Sequence, residues 1–276
     1  MSYLTPTLDH VVINSHRQMD AAAETYRRLG FTLTPRGHHS LGSINHLAIF
    51  GTDYLELIGL PEAGGGRLDL LGWPIGLNGL VWGSEDADAT HAAITAAGLP
   101  VLPAQSFTRP VNLGETSLDA AFRTVRLTDD TTPAGRLYFC QHFTRELVWR
   151  DAWRAHANGV VGVAGAILTA AEPTRLAGLF RRMFGDGAVR QIQGGFRLAV
   201  GLSWFDVITL RETQARLGPA APAQDQRNEA MTALVLRVRS LAQAAHALPL
   251  DLAIRAGGKL VVPAETAFGA TLIFEE

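Results

Sequence analysis

The sequence predicts an α+β fold, made of four βαβββ units paired into two domains, and three observations carry that prediction. Four short apolar stretches, residues 8–13, 77–82, 163–168 and 231–236, can be written beneath one another without gaps, each suited to a buried strand. Each leads into good helix formers with apolar positions three and four apart, then a break, then further strand-like runs. A chain of 276 residues, 47% apolar, suffices for two packed cores at roughly 150 residues per domain.

The first unit opens with Leu8-Asp9-His10-Val11-Val12-Ile13, continues in a helix over 19–29 closed by Gly30, and ends in the strand Tyr54-Leu55-Glu56-Leu57-Ile58. Glycine suits that closing position because a left-handed residue ends a helix without a Cβ clash. The second unit places a helix over 86–97 before Gly98 and closes with a strand over 137–141. Residues 143–156, with Trp149, Arg150, Trp153 and Arg154, predict a short helical crossover between domains 1–157 and 158–276. In the third unit a helix over 172–183 stops at Gly185, and the closing strand covers 205–210. The fourth has its helix over 239–248, stopped by Pro249, and its closing strand over 270–274. Gly194-Gly195 and Gly257-Gly258 predict hairpin turns, without the following helix that a phosphate-cradling loop requires. Residues 217–228, with Gly218, Pro219 and Pro222, predict a linker between units three and four, and Gly64-Gly65-Gly66 a flexible surface turn.

Charge excludes some functions. With 24 basic against 26 acidic residues the net charge is −2, which offers no electrostatic case for nucleic acid. No apolar run approaches the ~18 residues that cross a bilayer, and Met1 to His10 lacks the basic flank of a signal peptide, so a cytoplasmic location is expected. The single cysteine, Cys140, excludes an intrachain disulfide and a multi-thiolate zinc site, leaving His, Asp, Glu or water as ligands for any metal.

Two residues are out of place for packing alone. His10 is the third residue of its strand, where the other units carry Gly79, Gly165 and Ala233, and Glu56 sits mid-strand among apolar neighbours. A buried carboxylate needs a partner, and a cation held by His10 and Glu56 would supply it. The plainer alternative is a hydrogen-bonded core histidine and a solvent-facing glutamate. A third metal ligand by analogy of position is His142, or a one-residue register slip would turn Gln141 inward as a polar contact for substrate. The segment Gly37-His38-His39-Ser40-Leu41-Gly42-Ser43-Ile44-Asn45-His46 reads either as an exposed hairpin or as a loop over the sheet's mouth. On the second reading Asn45 and one of His38 or His39 bind a substrate carbonyl or carboxylate.

These residues resemble a known family. Leu8-Asp9-His10-Val11-Val12-Ile13, Leu29-Gly30-Phe31, Gly42-Ser43-Ile44-Asn45 and Tyr54-Leu55-Glu56-Leu57-Ile58-Gly59, with the stretch from Tyr138 to Arg150, are similar to the vicinal oxygen chelate superfamily and its glyoxalase-like branch. The match covers about the first 160 residues; the remainder shares the repeat pattern. The resemblance implies paired modules wrapping a cavity in which a divalent metal (zinc, nickel, manganese or iron) chelates two neighbouring oxygens of a substrate. His10 then matches the first-strand metal histidine and Glu56 the closing-strand metal glutamate, and either His142 and water fill the rest of the set or the metal is weak or lost and the cavity binds a small organic molecule without one. Gly79 stands where a second histidine would be, and Phe139 or Cys140 where a second glutamate would be. Four units also resemble extradiol dioxygenases, but Gly165 and Ala233 replace the histidines expected there.

The resemblance implies isomerase or lyase chemistry on a small 2-oxo or vicinal-oxygen compound, with Glu56, His38 or His39 as the base. The alternatives are a metal-free protein that sequesters a small molecule, an atypical dioxygenase, and a scaffold whose second half serves as packing or homodimer surface.

Overall fold

The computed structural model describes residues 3–223, 227–249 and 252–276, leaving aside the side chain of Ala256. Its first half contains β1 (Leu8–Asn14), α1 (Met19–Arg28), β2 (Gly37–His38), β3 (Ile44–Ile49), β4 (Tyr54–Gly59), β5 (Gly76–Gly83), α2 (Ala87–Ala96), β6 (Gln105–Asn112), β7 (Ser117–Arg126) and β8 (Arg136–His142). The second half repeats that order with β9 (Val160–Ala170), α3 (Pro173–Phe184), β10 (Val189–Ile192), β11 (Gly195–Val200), β12 (Ser203–Ile208), α4 (Leu210–Leu217), β13 (Glu229–Val238), α5 (Leu241–Ala247), β14 (Ile254–Ala256), β15 (Lys259–Val262) and β16 (Thr271–Glu275). The four βαβββ units of the sequence are therefore present, with α4 as an addition.

Each half forms one eight-stranded sheet, ordered β2-β3-β4-β1-β5-β8-β7-β6 and β10-β11-β12-β9-β13-β16-β15-β14. The opening strands of paired units meet antiparallel at the centre, and each opening strand lies parallel to its own closing strand. Strand alternation sends Val11, Leu80 and Trp82 outward into a core shared with Tyr26 of α1, Phe180 of α3 and Val163 and Phe205 of the second sheet. Val12, Val81, Phe122 and Tyr138 face the other way, into the hollow of the first sheet. That sheet curls until its two edges meet: the backbone N–H of Ser40, after β2, donates to Thr108 O on β6 at 2.9 Å, and the N–H of Thr108 donates to Ser40 Oγ at 3.0 Å. No helix among the described residues is long and apolar enough to cross a membrane.

The helix ends follow local chemistry. Gly30, Gly98 and Gly185 all have positive φ after their helices, as their positions suggest. Asp86 and Ser240 lie outside α2 and α5 as caps, their side chains accepting the first free N–H groups. Two expectations are corrected. Leu210 is not in a strand: β12 ends at Ile208 because Thr209 caps α4, accepting from the Glu212 N–H. The expected linker begins in regular structure, with Leu217 ending α4 and Gly218–Ala220 forming a tight turn; its residues 224–226 lie outside the described residues. The crossover at 143–156 consists of two single turns, Arg145–Leu147 and Asp151–Trp153.

Candidate functional site

The hollow of the first sheet is a cavity of about 300 Å³ whose polar lining includes His10, His39, Asn45, Glu56, Tyr138 and four arginines. Register brings its two central groups together. In the parallel pairing of β1 with β4, His10 lies opposite Tyr54 and Val12 opposite Glu56, so His10 and Glu56 project from the same face. His10 Nε2 stands 3.8 Å from Glu56 Oε2, and both side chains are more than nine-tenths buried.

A bulge in β1 supplies what orients His10. Between Leu8 and His10 the pairing with β5 skips a residue, which turns Asp9 behind the imidazole. Asp9 Oδ1 accepts from His10 Nδ1 at 2.6 Å and from His142 Nε2 at 3.0 Å, with Arg145 Nη1 3.8 Å from the other oxygen. Burial by itself would raise the Asp9 carboxyl, but attraction from His142 and the two imidazole hydrogen bonds outweigh it and hold the carboxyl far below the usual range. An ionised Asp9 places the His10 proton on Nδ1, so Nε2 presents its lone pair to the cavity. There the Tyr138 hydroxyl, kept protonated by burial, donates to Nε2 across 3.2 Å. Tyr54 stacks on the imidazole, ring centres 4.4 Å apart.

Glu56 is held from the other side. Asn45 Nδ2 donates to Glu56 Oε1 at 2.7 Å and also meets His39 Nε2 at 3.1 Å. His39 in turn donates from Nδ1 to Ser43 Oγ at 2.8 Å. Burial pushes His39 down to about 4, against the raising effect of Glu56, so it is neutral at pH 7 with both nitrogens engaged. Asn45 thus orients Glu56, while its own Oδ1 is buried without a partner.

The remaining sequence candidates lie elsewhere. His38 is exposed on β2 and lines a different surface hollow; only His39 of that pair reaches the cavity. Gln141 faces away, because β8 alternates and directs Arg136, Tyr138 and Cys140 inward. Its amide is used at the start of α2, accepting from Ala87 N–H and donating to Glu85 O. His142 shares the inner face but stops short of the cavity lining, packed on Asp9 and against Phe122 and Trp149. Gly79 has no room for a second histidine, since a Cβ there would lie 2.8 Å from Val12 Cβ.

Two places fit a divalent cation to different degrees. Among the described residues, donor atoms of Asp9, Cys140 and His142 lie within 4.8 Å of one another. Asp9 and His142 already satisfy each other there, and burial pushes the Cys140 thiol well up, which keeps it protonated. The His10–Glu56 pair fits better: 3.8 Å is a separation two bonds of about 2.1 Å can span, and the Asp9–His10 contact is the outer-shell support that ligating histidines use.

Asp9, Tyr138 and the cavity arginines were not singled out from sequence. Asp9 carried a signal, a charged residue in an apolar strand beside His10. The matching place in the second half is also informative. Asp206 of β12 occupies the register of Glu56, opposite Ile167 of β9, but Arg197 clasps it at 2.6 and 2.9 Å and Arg216 at 2.8 Å. Trp204 covers Gly165 where Tyr54 would face His10, so among the described residues that half has no open counterpart of the site.

A family model described as a glyoxalase-like domain matches residues 8–184. No curated protein matches the chain. Among solved structures the chain is similar to a hypothetical protein from Staphylococcus aureus, at 10% identity over 99% of both chains with a TM-score of 0.66. It is also similar to a xylose isomerase-like TIM barrel/4-hydroxyphenylpyruvate dioxygenase fusion protein, at 15% identity and a TM-score of 0.57, over 99% of this chain and 50% of that one. Both are likenesses of fold. A methylmalonyl-CoA epimerase from Streptomyces coelicolor aligns with 50% of this chain and 95% of its own, at 23% identity and a TM-score of 0.37.

Proposed function

The chain belongs to the glyoxalase-like domain family, and on that footing we propose that it is an enzyme of the isomerase or lyase type, moving a proton next to the carbonyl of a small 2-oxo compound. The observation that carries this reading is the buried facing pair, His10 Nε2 and Glu56 Oε2, 3.8 Å apart at the cavity wall. His10 and Glu56 would hold a divalent cation, which when bound polarises a substrate carbonyl and stabilises the negative charge that develops on its oxygen.

The chain's own residues supply the rest. Asn45 fixes Glu56 through Oε1, leaving Oε2 toward the cavity as the atom that would hold the cation and, once displaced from it, accept a proton from carbon. Asp9 keeps His10 in the tautomer that aims Nε2 at the same place. The Tyr138 hydroxyl, protonated at any working pH, is a donor for a developing oxyanion beside Nε2. His39, neutral and doubly hydrogen-bonded, is a positioning residue for Asn45 and Glu56 rather than the base.

The test is elemental analysis of protein purified without added metal, beside a His10→Ala/Glu56→Ala variant, after equilibration with iron, manganese, nickel and zinc. Deuterium uptake at C3 of 2-oxoglutarate in heavy water is followed by NMR in parallel. The expected result is one ion per wild-type chain, none in the variant, and exchange only with the wild type. Metal-free wild type without exchange sinks the enzyme reading and leaves sequestration of a small molecule.

A further inference from the structure

The cavity carries more positive charge than its own carboxylates balance. Arg67, Arg109, Arg126 and Arg136 line it, against Glu56 and Asp69. Asp69 is already occupied: Arg67 grips it through two hydrogen bonds of 2.8 Å, and Arg126 approaches at 3.5 Å. Glu56 is engaged by Asn45 and faced by His10 and His39. Arg109 and Arg136 are left over, both 3% exposed. Arg136 spends its Nε on Asn78 Oδ1 at 2.9 Å, but its Nη2, like Nε and Nη2 of Arg109, is a buried donor without a partner.

A guanidinium cannot shed its charge inside a protein, and a buried cation without an anion is among the most destabilising arrangements a fold retains. Space is made for one of them: at Gly37 any Cβ would collide with the Arg109 side chain and Asn45 Oδ1. The two arginines come from different directions. Arg109 reaches in from the edge strand β6 on the His39–Asn45 side, and Arg136 from β8 on the Tyr138 side, with β7 between those strands. In the ladders with β7, Arg109 lies opposite Ala120 and Tyr138 opposite Arg126, so the two arginines enter at different levels of the hollow that His10 and Glu56 also face, and the Glu56 carboxylate attracts both.

We infer that the ligand of this cavity is a small dicarboxylate, one carboxylate seated on Arg109 and the other on Arg136, with the chain between them passing Glu56 and His10. Planar guanidinium donors match carboxylate oxygens in pairs. A cavity of about 300 Å³ lies at the small end of ligand sites, which suits an acid of a few carbons. Joined to the proposed enzyme reading, on which the 2-oxo group rests, the substrate is a 2-oxo dicarboxylate; the dianion itself rests only on the arginines.

Isothermal titration calorimetry of the full chain, in buffer containing a chelator, tests this with succinate, propionate and inorganic phosphate as probes. The variants are Arg109→Gln, Arg136→Gln and, as an exposed control on α1, Arg28→Gln. Succinate is expected to bind at least tenfold more tightly than propionate, with that preference lost in each cavity variant and kept in the control. Arg109→Met, which removes an unpaired buried charge, is expected to melt no lower than wild type without ligand and to lose the rise in Tm that succinate gives. The inference is overturned if succinate does not bind or binds no better than propionate, if the preference survives in the glutamine variants, or if those variants melt far below wild type as structural residues would. Tighter binding of phosphate than of succinate overturns the carboxylate assignment. Succinate has no 2-oxo group and the chelator removes metal, so succinate binding stands if the enzyme reading fails, and metal content stands if the anion inference fails.

Discussion

Asp9→Asn tests the centre of the site, because a single carboxylate oxygen there serves two buried imidazoles. It accepts from His10 Nδ1 at 2.6 Å and from His142 Nε2 at 3.0 Å, with all three side chains at most 4% exposed. Hydrogen bonds to a charged group contribute about 1.5–3 kcal/mol each, and the amide keeps the shape and one acceptor while losing the charge. The expected loss is therefore about 2–4 kcal/mol, in the range for breaking a buried pair. Urea unfolding at pH 7, followed by tryptophan fluorescence, reads it as a lower midpoint at unchanged slope. Long-range nitrogen–proton NMR reads the other consequence: wild-type His10 carries its proton on Nδ1, and in the variant the two tautomers mix. If stability stays within about 0.5 kcal/mol, as for an ordinary surface change, and His10 keeps its tautomer, then Asp9 is not what orients the imidazole.

Asp53 should give the fold a pH dependence of predictable sign. Burial pushes its carboxyl up to about 6, against the hydrogen bond from Val163 N–H that ties the two halves together. A carboxyl raised in the folded state adds relative stability below its unfolded value near 3.8, and that contribution is lost as pH rises through 6. Asp53→Asn, still able to accept from Val163, should exceed wild type by about 2–3 kcal/mol at pH 8, with the gap closing by pH 4; equal unfolding curves at pH 8 would refute it. In the second half, a Cβ on Gly165 would lie 2.7 Å from Trp204 Cε3, so Gly165→Ala should cost about 1–3 kcal/mol by overpacking. Adding Trp204→Ala should recover part of that loss, and strict additivity of the two changes would count against the contact.

The repeat was legible because βαβββ units are written in local chemistry. Apolar strands, helical spacing and glycines at 30, 98 and 185 act over a few residues, and each acts in the structure as its position suggests. Boundaries were less legible where a polar side chain caps a helix, as Thr209 does when it ends β12 two residues before Leu210. His10 and Glu56 stood out because each interrupts an apolar strand, and the parallel pairing of β1 with β4 brings them face to face.

The rest depends on which strands become neighbours and how far the sheet curls, and no run of residues encodes that locally. Gln141 and His142 are adjacent in sequence, yet alternation gives one to the cap of α2 and the other to Asp9. Arg109 and Arg136 look like ordinary strand cations; only closure of β6 toward β2 and the hollow it makes bury them with guanidinium nitrogens left unpartnered. Asp206 shows the converse, a carboxylate in the register of Glu56 that two arginines neutralise. Short-range preferences thus set the elements and marked two site residues. Long-range pairing chose which charges are satisfied and which stay open to a ligand, because a charge's free energy depends on every neighbour the fold brings within a few ångströms.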